Sequence, residues 1–96
     1  MYAISFDLDT NCLKEHYRND SYTNAWNDIK VFLIEKGFKW QQGSVYFGNE
    51  EVNAVTCVMA IQELSREHPW FKACVKDIRM LRIEENNDLM PAVTNT

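Results

Sequence analysis

Three polar residues that could carry chemistry, Asp7, Ser44 and Asp77, are far apart in the sequence. Asp7 falls near the end of a segment starting at Tyr2 in which apolar and small or polar residues alternate, a pattern typical of a β-strand. A carboxylate within a sheet costs free energy unless it is paired or used. Two carboxylates can share a proton or bind a divalent cation, and a hydroxyl beside them can bind a phosphate.

Each of these residues also has a plain structural interpretation. Asp7 could cap a turn at the end of its strand, Ser44 could belong to a hairpin turn, and Asp77 could pair with a basic neighbour. The choice depends on whether the fold brings the three side chains together, and therefore on the elements that position them.

Hydrophobic periodicity and capping predict those elements. Gly37 should end the first long helix in a left-handed conformation, and Asn49 should cap the second, with Glu50 and Glu51 in its first turn. We expect, in chain order, a strand over 2–9, a polar loop over 10–21 with room for a short helical turn, a helix from a cap at Asp20 or Ser21 to about Lys36, strands over 38–41 and 44–47, a helix from 50 to 67, a helical turn at 69–71, a strand over 78–84, and a polar tail.

The order β-α-β-β-α-β predicts an α+β domain with the ferredoxin-like split βαβ fold over residues 1–85, followed by a C-terminal tail over 86–96. Its four-stranded antiparallel sheet has the order 4-1-3-2, with the helices on one face. The first strand lies between the third and the fourth and runs opposite to both. The end that carries Asp7 therefore lies beside the strand starts that carry Ser44 and Asp77, at one edge of the sheet.

The helices leave one sheet face open. On the last strand Ile78 and Met80 alternate with Leu81 and Ile83, so both faces carry apolar residues, as in strands buried on both sides. We therefore expect a homodimer that covers the open face. The alternative is a monomer whose tail folds over that face.

Composition limits the partners. The net charge of −4 argues against general polyelectrolyte binding to nucleic acid. Lys72, Lys76, Arg79 and Arg82 cluster before and along the last strand, where they would suit phosphate contacts or simply form a solvated basic edge. The tryptophans, Trp26, Trp40 and Trp70, should pack in the core or an interface.

The cysteines, Cys12, Cys57 and Cys74, are odd in number and without a CxxC pair. We expect them to be reduced thiols, with Cys57 and Cys74 in the core. No signal peptide and no membrane-spanning run is apparent, which predicts a cytoplasmic protein.

Three segments resemble the virulence-associated protein D (VapD) family. They are MYAISFDL at 1–8, GFKWQQGSVY at 37–46, and the region with Trp70-Phe71, VKDIR at 75–79 and Ile83-Glu84. The resemblance covers about residues 1–90. The family is also similar in fold to the small CRISPR adaptation nucleases, whose first strand likewise ends in an Asp.

The resemblance implies a ferredoxin-like homodimer that cleaves RNA as an endoribonuclease, the toxin of a bacterial toxin–antitoxin pair with an antitoxin protein as partner. It points to Asp7, Ser44 and Asp77 as catalytic residues. We expect RNA to contact Gln42, Tyr46, Lys76, Arg79 and Arg82. Asp7 would act as general base, and a Mg²⁺ ion on Asp7 and Asp77 is an option; no other cofactor is indicated. The alternative is a non-enzymatic dimeric module that binds a protein or a small ligand, because this fold hosts many functions.

Overall fold

The computed structural model describes residues 1–17 and 21–96. Its elements are, in chain order, β1 (Tyr2–Leu8), α1 (Thr10–His16), a 3₁₀ turn (Tyr22–Asn24), α2 (Ala25–Glu35), β2 (Phe38–Gln42), β3 (Val45–Gly48), α3 (Ala54–Glu67), α4 (Pro69–Cys74), β4 (Val75–Arg82) and α5 (Met90–Thr94). None of the helices in the described ranges is long and apolar enough to cross a membrane.

The strands form one antiparallel sheet in the order β2-β3-β1-β4, which confirms the predicted split βαβ architecture. In the central strand β1, Ile4 lies opposite both Tyr46 of β3 and Met80 of the edge strand β4. On this face Ile4, Phe6 and Leu8 are buried, whereas Asp7 on the other face is exposed.

The core forms between that face of β1 and the helices. Phe6 is 7% exposed and packs against the rings of Tyr46 and Phe71, with centroids 6.1 and 6.2 Å away. Burying one such side chain stabilises the fold by roughly 1.5–3 kcal/mol. Ile29 and Leu33 of α2 lie one helical turn apart, so they share one face of the helix. Both are fully buried, which shows that this face packs in the core.

The predicted polar loop over residues 10–21 was given room for a short helical turn, and the structure has there the longer helix α1, of 7 residues. The Asp9 side chain caps this helix by accepting a hydrogen bond from the Cys12 N–H at 3.1 Å. Because Leu13 is its buried residue, α1 has too little apolar periodicity to be recognised in the sequence. Residues 18–20, and with them the expected cap at Asp20, lie outside the described residues; α2 itself begins at Ala25.

The cap of α3 is Asn53, one turn later than predicted. Its Oδ1 accepts a hydrogen bond from the Thr56 N–H at 2.9 Å. Asn49 caps only a turn, since its Oδ1 accepts from the Glu51 N–H at 2.9 Å. Glu50 and Glu51 therefore precede the helix. In addition, α4 is longer than the single turn expected and β4 starts at Val75, three residues earlier than predicted.

The prediction of reduced thiols is wrong for Cys12 and Cys74, which form a disulfide with 5.4 Å between their Cα atoms. The sheet explains the pairing, because the end of β1 lies beside the start of β4 and the Asp9 N–H donates to the Cys74 carbonyl at 2.9 Å. A sequence separation of 62 residues concealed this proximity. Cys57 is a free buried thiol, so its predicted place in the core is confirmed.

Candidate active site

Asp7 and Asp77 occupy directly opposite positions on β1 and β4. Both side chains are exposed, Asp7 by 68% and Asp77 by 52%. Opposite residues in an antiparallel pair have Cβ atoms only ~4.5–5.5 Å apart, and like charges in such positions destabilise a sheet. The carboxylate pair predicted from topology is thus present, at the end of β1 on the face away from the helices.

A β-bulge at Lys76 places a positive charge beside this pair. Asp7 lies opposite Asp77 whereas Leu8 lies opposite Val75, so Lys76 is the extra residue of β4. In a regular ladder Lys76 would face Leu8 and point toward the core. The bulge redirects it, as bulges near functional sites often do, and its Nζ lies 3.9 Å from the Asp7 Oδ2.

Arg79 contributes the second positive charge. Its Nε donates to both carboxylate oxygens of Asp77 at 3.1 Å. This hydrogen bond, together with the charge of Asp77, raises the pKa of the Arg79 guanidinium above its ordinary value. Each carboxylate therefore has a basic neighbour, and both bases remain exposed to solvent. Solvent-exposed ion pairs are weak, so the cations can reorient toward an incoming phosphate.

Ser44 lies at the same end of the sheet but on a different side. Its carbonyl accepts a hydrogen bond from the Phe6 N–H at 3.2 Å, which fixes the start of β3 beside Asp7. Ser44 also borders a cavity on the helix side, together with Trp26 and Trp40. Of the three predicted catalytic residues, Asp7 and Asp77 thus lie side by side on the open face, and Ser44 lies at the rim.

Of the residues predicted to contact RNA, Gln42 and Arg82 are exposed on the surface, whereas Tyr46 is buried. Gln42 is exposed at the end of β2, next to Gly43, whose φ of 46° forms the hairpin turn. Tyr46 is only 2% exposed and packs on Phe6, so it is a core residue, and it also borders the cavity that contains Ser44. Arg82 is exposed at the far end of β4, opposite Tyr2, with its Nη2 3.9 Å from Glu84.

Trp70 is 7% exposed and packs in the core as expected, whereas Trp40 is 45% exposed and lies outside the core, where only an interface could cover it. Trp40 borders the cavity that contains Ser44, and the Lys30 Nζ lies 4.5 Å from its ring centroid. Sequence reasoning missed this group. The available signal was the spacing of Trp26 and Lys30, which puts them one turn apart on α2.

Metal ligation can be judged from the donor set. Within residues 1–17 and 21–96, no group of three or more His, Cys, Asp or Glu side chains is placed to hold a metal ion. Asp7 and Asp77 provide two carboxylates, and Mg²⁺ is often held by one or two carboxylates together with water and substrate phosphates. The pair therefore fits a Mg²⁺ ion that is bound jointly with a phosphate.

The fold and this cluster define a small ferredoxin-like α+β domain with an acidic and basic site at one end of its sheet. The chain is 58% identical over 94 residues to Endoribonuclease VapD 2 of Riemerella anatipestifer, a match covering 98% of this chain and 100% of that protein. It is 61% identical over 93 residues to an Endoribonuclease VapD homolog of Helicobacter pylori, covering 97% and 96%. It is 43% identical to Endoribonuclease VapD of Dichelobacter nodosus, with 97% of each chain covered.

No protein-family model matches the chain. The identities to these curated relatives extend over almost the whole chain. The chain therefore belongs to the VapD family, as the sequence resemblance predicted.

Proposed function

We propose that this protein is an endoribonuclease that cleaves RNA phosphodiester bonds at the end of β1. The observation that carries this proposal is the exposed pair of Asp7 and Asp77, which the sheet register places opposite each other with Lys76 and Arg79 beside them. The names of the relatives, all endoribonucleases, support the same activity.

In this mechanism Asp7 is the general base. It removes a proton from the ribose 2′-hydroxyl or from an attacking water. The oxygen so activated bonds to phosphorus as the bond from phosphorus to the leaving ribose oxygen breaks, and that oxygen takes up a proton from solvent. The negative charge that develops on the phosphorus-bound oxygens is stabilised by Lys76, which the bulge directs to Asp7, and by Arg79. Asp77 holds Arg79 in place through its carboxylate, and it is a positioning residue unless it also binds a metal.

Ser44 and Gln42 have supporting roles. From the rim, the Ser44 hydroxyl donates a hydrogen bond to a phosphate oxygen adjacent to the reacting one. Gln42, exposed beside the turn, contacts the same stretch of RNA. Arg82 lies five positions beyond Asp77 on β4, roughly 17 Å along the strand at ~3.3 Å per residue. It therefore binds the RNA backbone away from the cleaved bond.

A Mg²⁺ ion on Asp7 and Asp77 would polarise the phosphate as a Lewis acid. Cleavage in EDTA separates the two sources of positive charge. Activity that persists in EDTA assigns charge stabilisation to Lys76 and Arg79. Activity that disappears in EDTA and returns with Mg²⁺ assigns it to the metal.

We also infer a homodimer. Met80 and Leu81 of the edge strand β4 and Val58 and Met59 of α3 are each 44–61% exposed, and a cavity of about 240 Å³ with an almost wholly apolar lining lies between these elements. Pairing with a second copy would cover these side chains. Light scattering at micromolar concentration tests the assembly.

The biological role that we propose is that of a cytoplasmic toxin controlled by an antitoxin protein. Growth arrest in bacterial cells on induction of the wild-type chain, but not of Asp7→Asn, would support it. The alternative is a non-enzymatic dimeric module whose sheet or sheet edge binds another protein or a small ligand. In that case Asp7→Asn would leave the effect on cells unchanged.

The central test compares purified wild type, Asp7→Asn and Glu50→Gln on single-stranded RNA. Glu50→Gln is the matched control, because it removes an exposed carboxylate beyond the opposite end of β3. We expect Asp7→Asn to cleave roughly 10²–10⁴-fold more slowly, the usual contribution of a general base. Glu50→Gln should cleave like wild type. Equal cleavage by wild type and Asp7→Asn would reveal a contaminating nuclease and refute the proposal.

A further inference from the structure

A second surface feature lies on the helix side of the sheet, between α2 and the β2–β3 hairpin, whereas the carboxylate pair lies on the open face. It is a cavity of about 380 Å³. Its walls combine two indole rings, an amide, an ammonium group and two hydroxyl-bearing residues. They are Trp26, Asn27, Lys30, Trp40, Ser44 and Tyr46, together with the backbone of Gly43.

Trp40 is held in a defined position although it is 45% exposed. Its Nε1 donates a hydrogen bond to the Gly43 carbonyl at 2.9 Å, which ties the ring to the hairpin turn. The Lys30 Nζ lies 4.5 Å from the ring centroid, which ties it to α2. A large ring that is fixed from two sides and still open to solvent is a preorganised stacking surface.

The charges indicate what could stack there. Aromatic cavities can accept cations, but Lys30 already supplies a cation over Trp40 and would repel a second one. A planar ligand that carries negative charge avoids this repulsion. Asn27 can both donate and accept hydrogen bonds at the edge of a planar ligand. An unstacked nucleobase with its phosphate has all of these properties.

Ser44 connects this cavity to the carboxylate pair. Ser44 lines the cavity. Its carbonyl accepts a hydrogen bond from the N–H of Phe6, the residue that precedes Asp7. We propose that the cavity of Trp26, Asn27, Lys30 and Trp40 binds one unstacked nucleobase of single-stranded RNA, next to the nucleotide whose phosphate lies at Asp7. Its position relative to cleavage rests on the endoribonuclease function proposed above; base binding itself does not.

The test measures binding and cleavage separately. Binding of a fluorescently labelled single-stranded RNA oligonucleotide is measured in the Asp7→Asn background, where cleavage should be slow. We expect Trp40→Ala to weaken binding by roughly 5- to 150-fold, the range known for loss of one stacked base. Trp40→Phe, which retains a ring, should lose much less. Lys30→Met should also weaken binding, and Trp40→Ala should remain folded, because its side chain is largely outside the core.

Lys14→Met is the matched control. The Lys14 Nζ also lies over an aromatic ring, 5.6 Å from the Tyr22 centroid, but it does not line the cavity. We expect it to bind RNA like its parent. A second arm replaces single nucleotides of the RNA with abasic ones. One position should weaken binding to the parent protein and have no such effect on Trp40→Ala.

The outcomes separate this inference from the nuclease proposal. If Trp40→Ala and Lys30→Met bind RNA as tightly as their parent, the base site is refuted even when Asp7→Asn abolishes cleavage. If binding depends on Trp40 and on one base while wild type cleaves no RNA, the base site stands and the nuclease proposal fails. If Lys14→Met weakens binding as much as Lys30→Met, the effect is general charge and the site is refuted.

Discussion

Asp7 and Asp77 lie directly opposite each other on the β1–β4 ladder, at the last regular position before the bulge, and both side chains are exposed. Such a pair destabilises a sheet unless cations compensate it. Here Lys76 approaches Asp7 and Arg79 binds Asp77, both at the solvent-exposed end of the ladder. The fold therefore places two carboxylates and the two cations that compensate them where a phosphate can reach all four groups.

Replacement of Lys76 tests the role of the bulge. We expect Lys76→Gln to lower kcat/KM for RNA by roughly tenfold or more, because a charged hydrogen bond to the phosphate is lost. The slope of log kcat/KM against log salt should become shallower by about 0.7, the value for one contact on a single strand. Steady-state kinetics at several salt concentrations would measure both.

Two comparisons make the Lys76 result specific. Lys76→Arg keeps the charge and should retain most of the activity. Lys72→Gln removes an exposed lysine on α4 and should behave like wild type. If Lys76→Gln and Lys76→Arg lose activity equally, charge at this position is not what matters.

Ser44→Ala should have a smaller effect than Asp7→Asn. We expect a fall in kcat/KM of roughly 5- to 10-fold, the usual worth of one neutral hydrogen bond, because the hydroxyl acts from the rim. Ser65→Ala is the matched control, since its hydroxyl donates to the Ile61 carbonyl within α3, at 2.9 Å. A loss with Ser44→Ala as large as that with Asp7→Asn would contradict the supporting role.

Reduction of the Cys12–Cys74 bridge should destabilise the protein. A disulfide that closes a loop of this length contributes about 4 kcal/mol by restricting the unfolded chain. We expect a reductant to lower Tm by roughly 16–32 °C, as followed by circular dichroism. A reducing compartment, which keeps most such bridges open, would therefore lower the stability of the protein.

Cys12→Ser supplies the control for the bridge. Its Tm should be close to that of the reduced wild type, and reductant should not lower it further. Thiol titration in denaturant should find only Cys57 before reduction of the wild type. A wild-type Tm that does not respond to reductant would contradict the stabilising role.

Tyr46 should make the fold sensitive to alkali. Burial raises the pKa of its phenol above the ordinary value, so the folded protein keeps this proton at a pH where the unfolded chain releases it. The contribution to stability is complete below pH ~10 and is lost as pH rises through the raised pKa. Tyr46→Phe should therefore lose less stability between pH ~9 and ~11 than wild type, as measured by urea unfolding.

The difference in free energy of unfolding between wild type and Tyr46→Phe at pH ~7, where Tyr46 is neutral, gives the baseline for that comparison. Burial also raises the pKa of the Cys57 thiol. Both proteins contain Cys57, so its contribution to the alkaline loss of stability cancels in the comparison. Parallel alkaline losses in wild type and Tyr46→Phe would show that Tyr46 is not the group responsible.

The strand order could be predicted because its signals are local and agree with one another. Alternation from Tyr2 to Leu8 defines the buried face of β1, and Gly37 and Gly43 adopt the positive φ values of 96° and 46° that stop α2 and form the hairpin turn. Once the element order was known, the sheet topology placed Asp7 beside Asp77. The pairing of these two acids was therefore within reach of sequence reasoning.

What could not be predicted depends on exact register and on contacts between distant segments. Asn49 and Asn53 are both good caps one turn apart, and only packing selects Asn53. The bulge at Lys76 changes which face that residue occupies, although its own sequence would suit a regular strand. The bridge to Cys74 likewise requires knowing where α1 begins.

The bridge also determines how the molecule would respond to mechanical force. Tyr2 pairs with Arg82, so the two chain ends leave the sheet at the same end of the β1–β4 ladder, while Cys12 and Cys74 are joined at the opposite end. Tension applied through the termini would thus peel the two strands apart one residue pair at a time rather than shear them. Peeling would halt at the covalent link, and the segment between the two cysteines would bear no load. An optical trap should record a short, low-force extension in oxidising buffer and a much longer one once the link is cut.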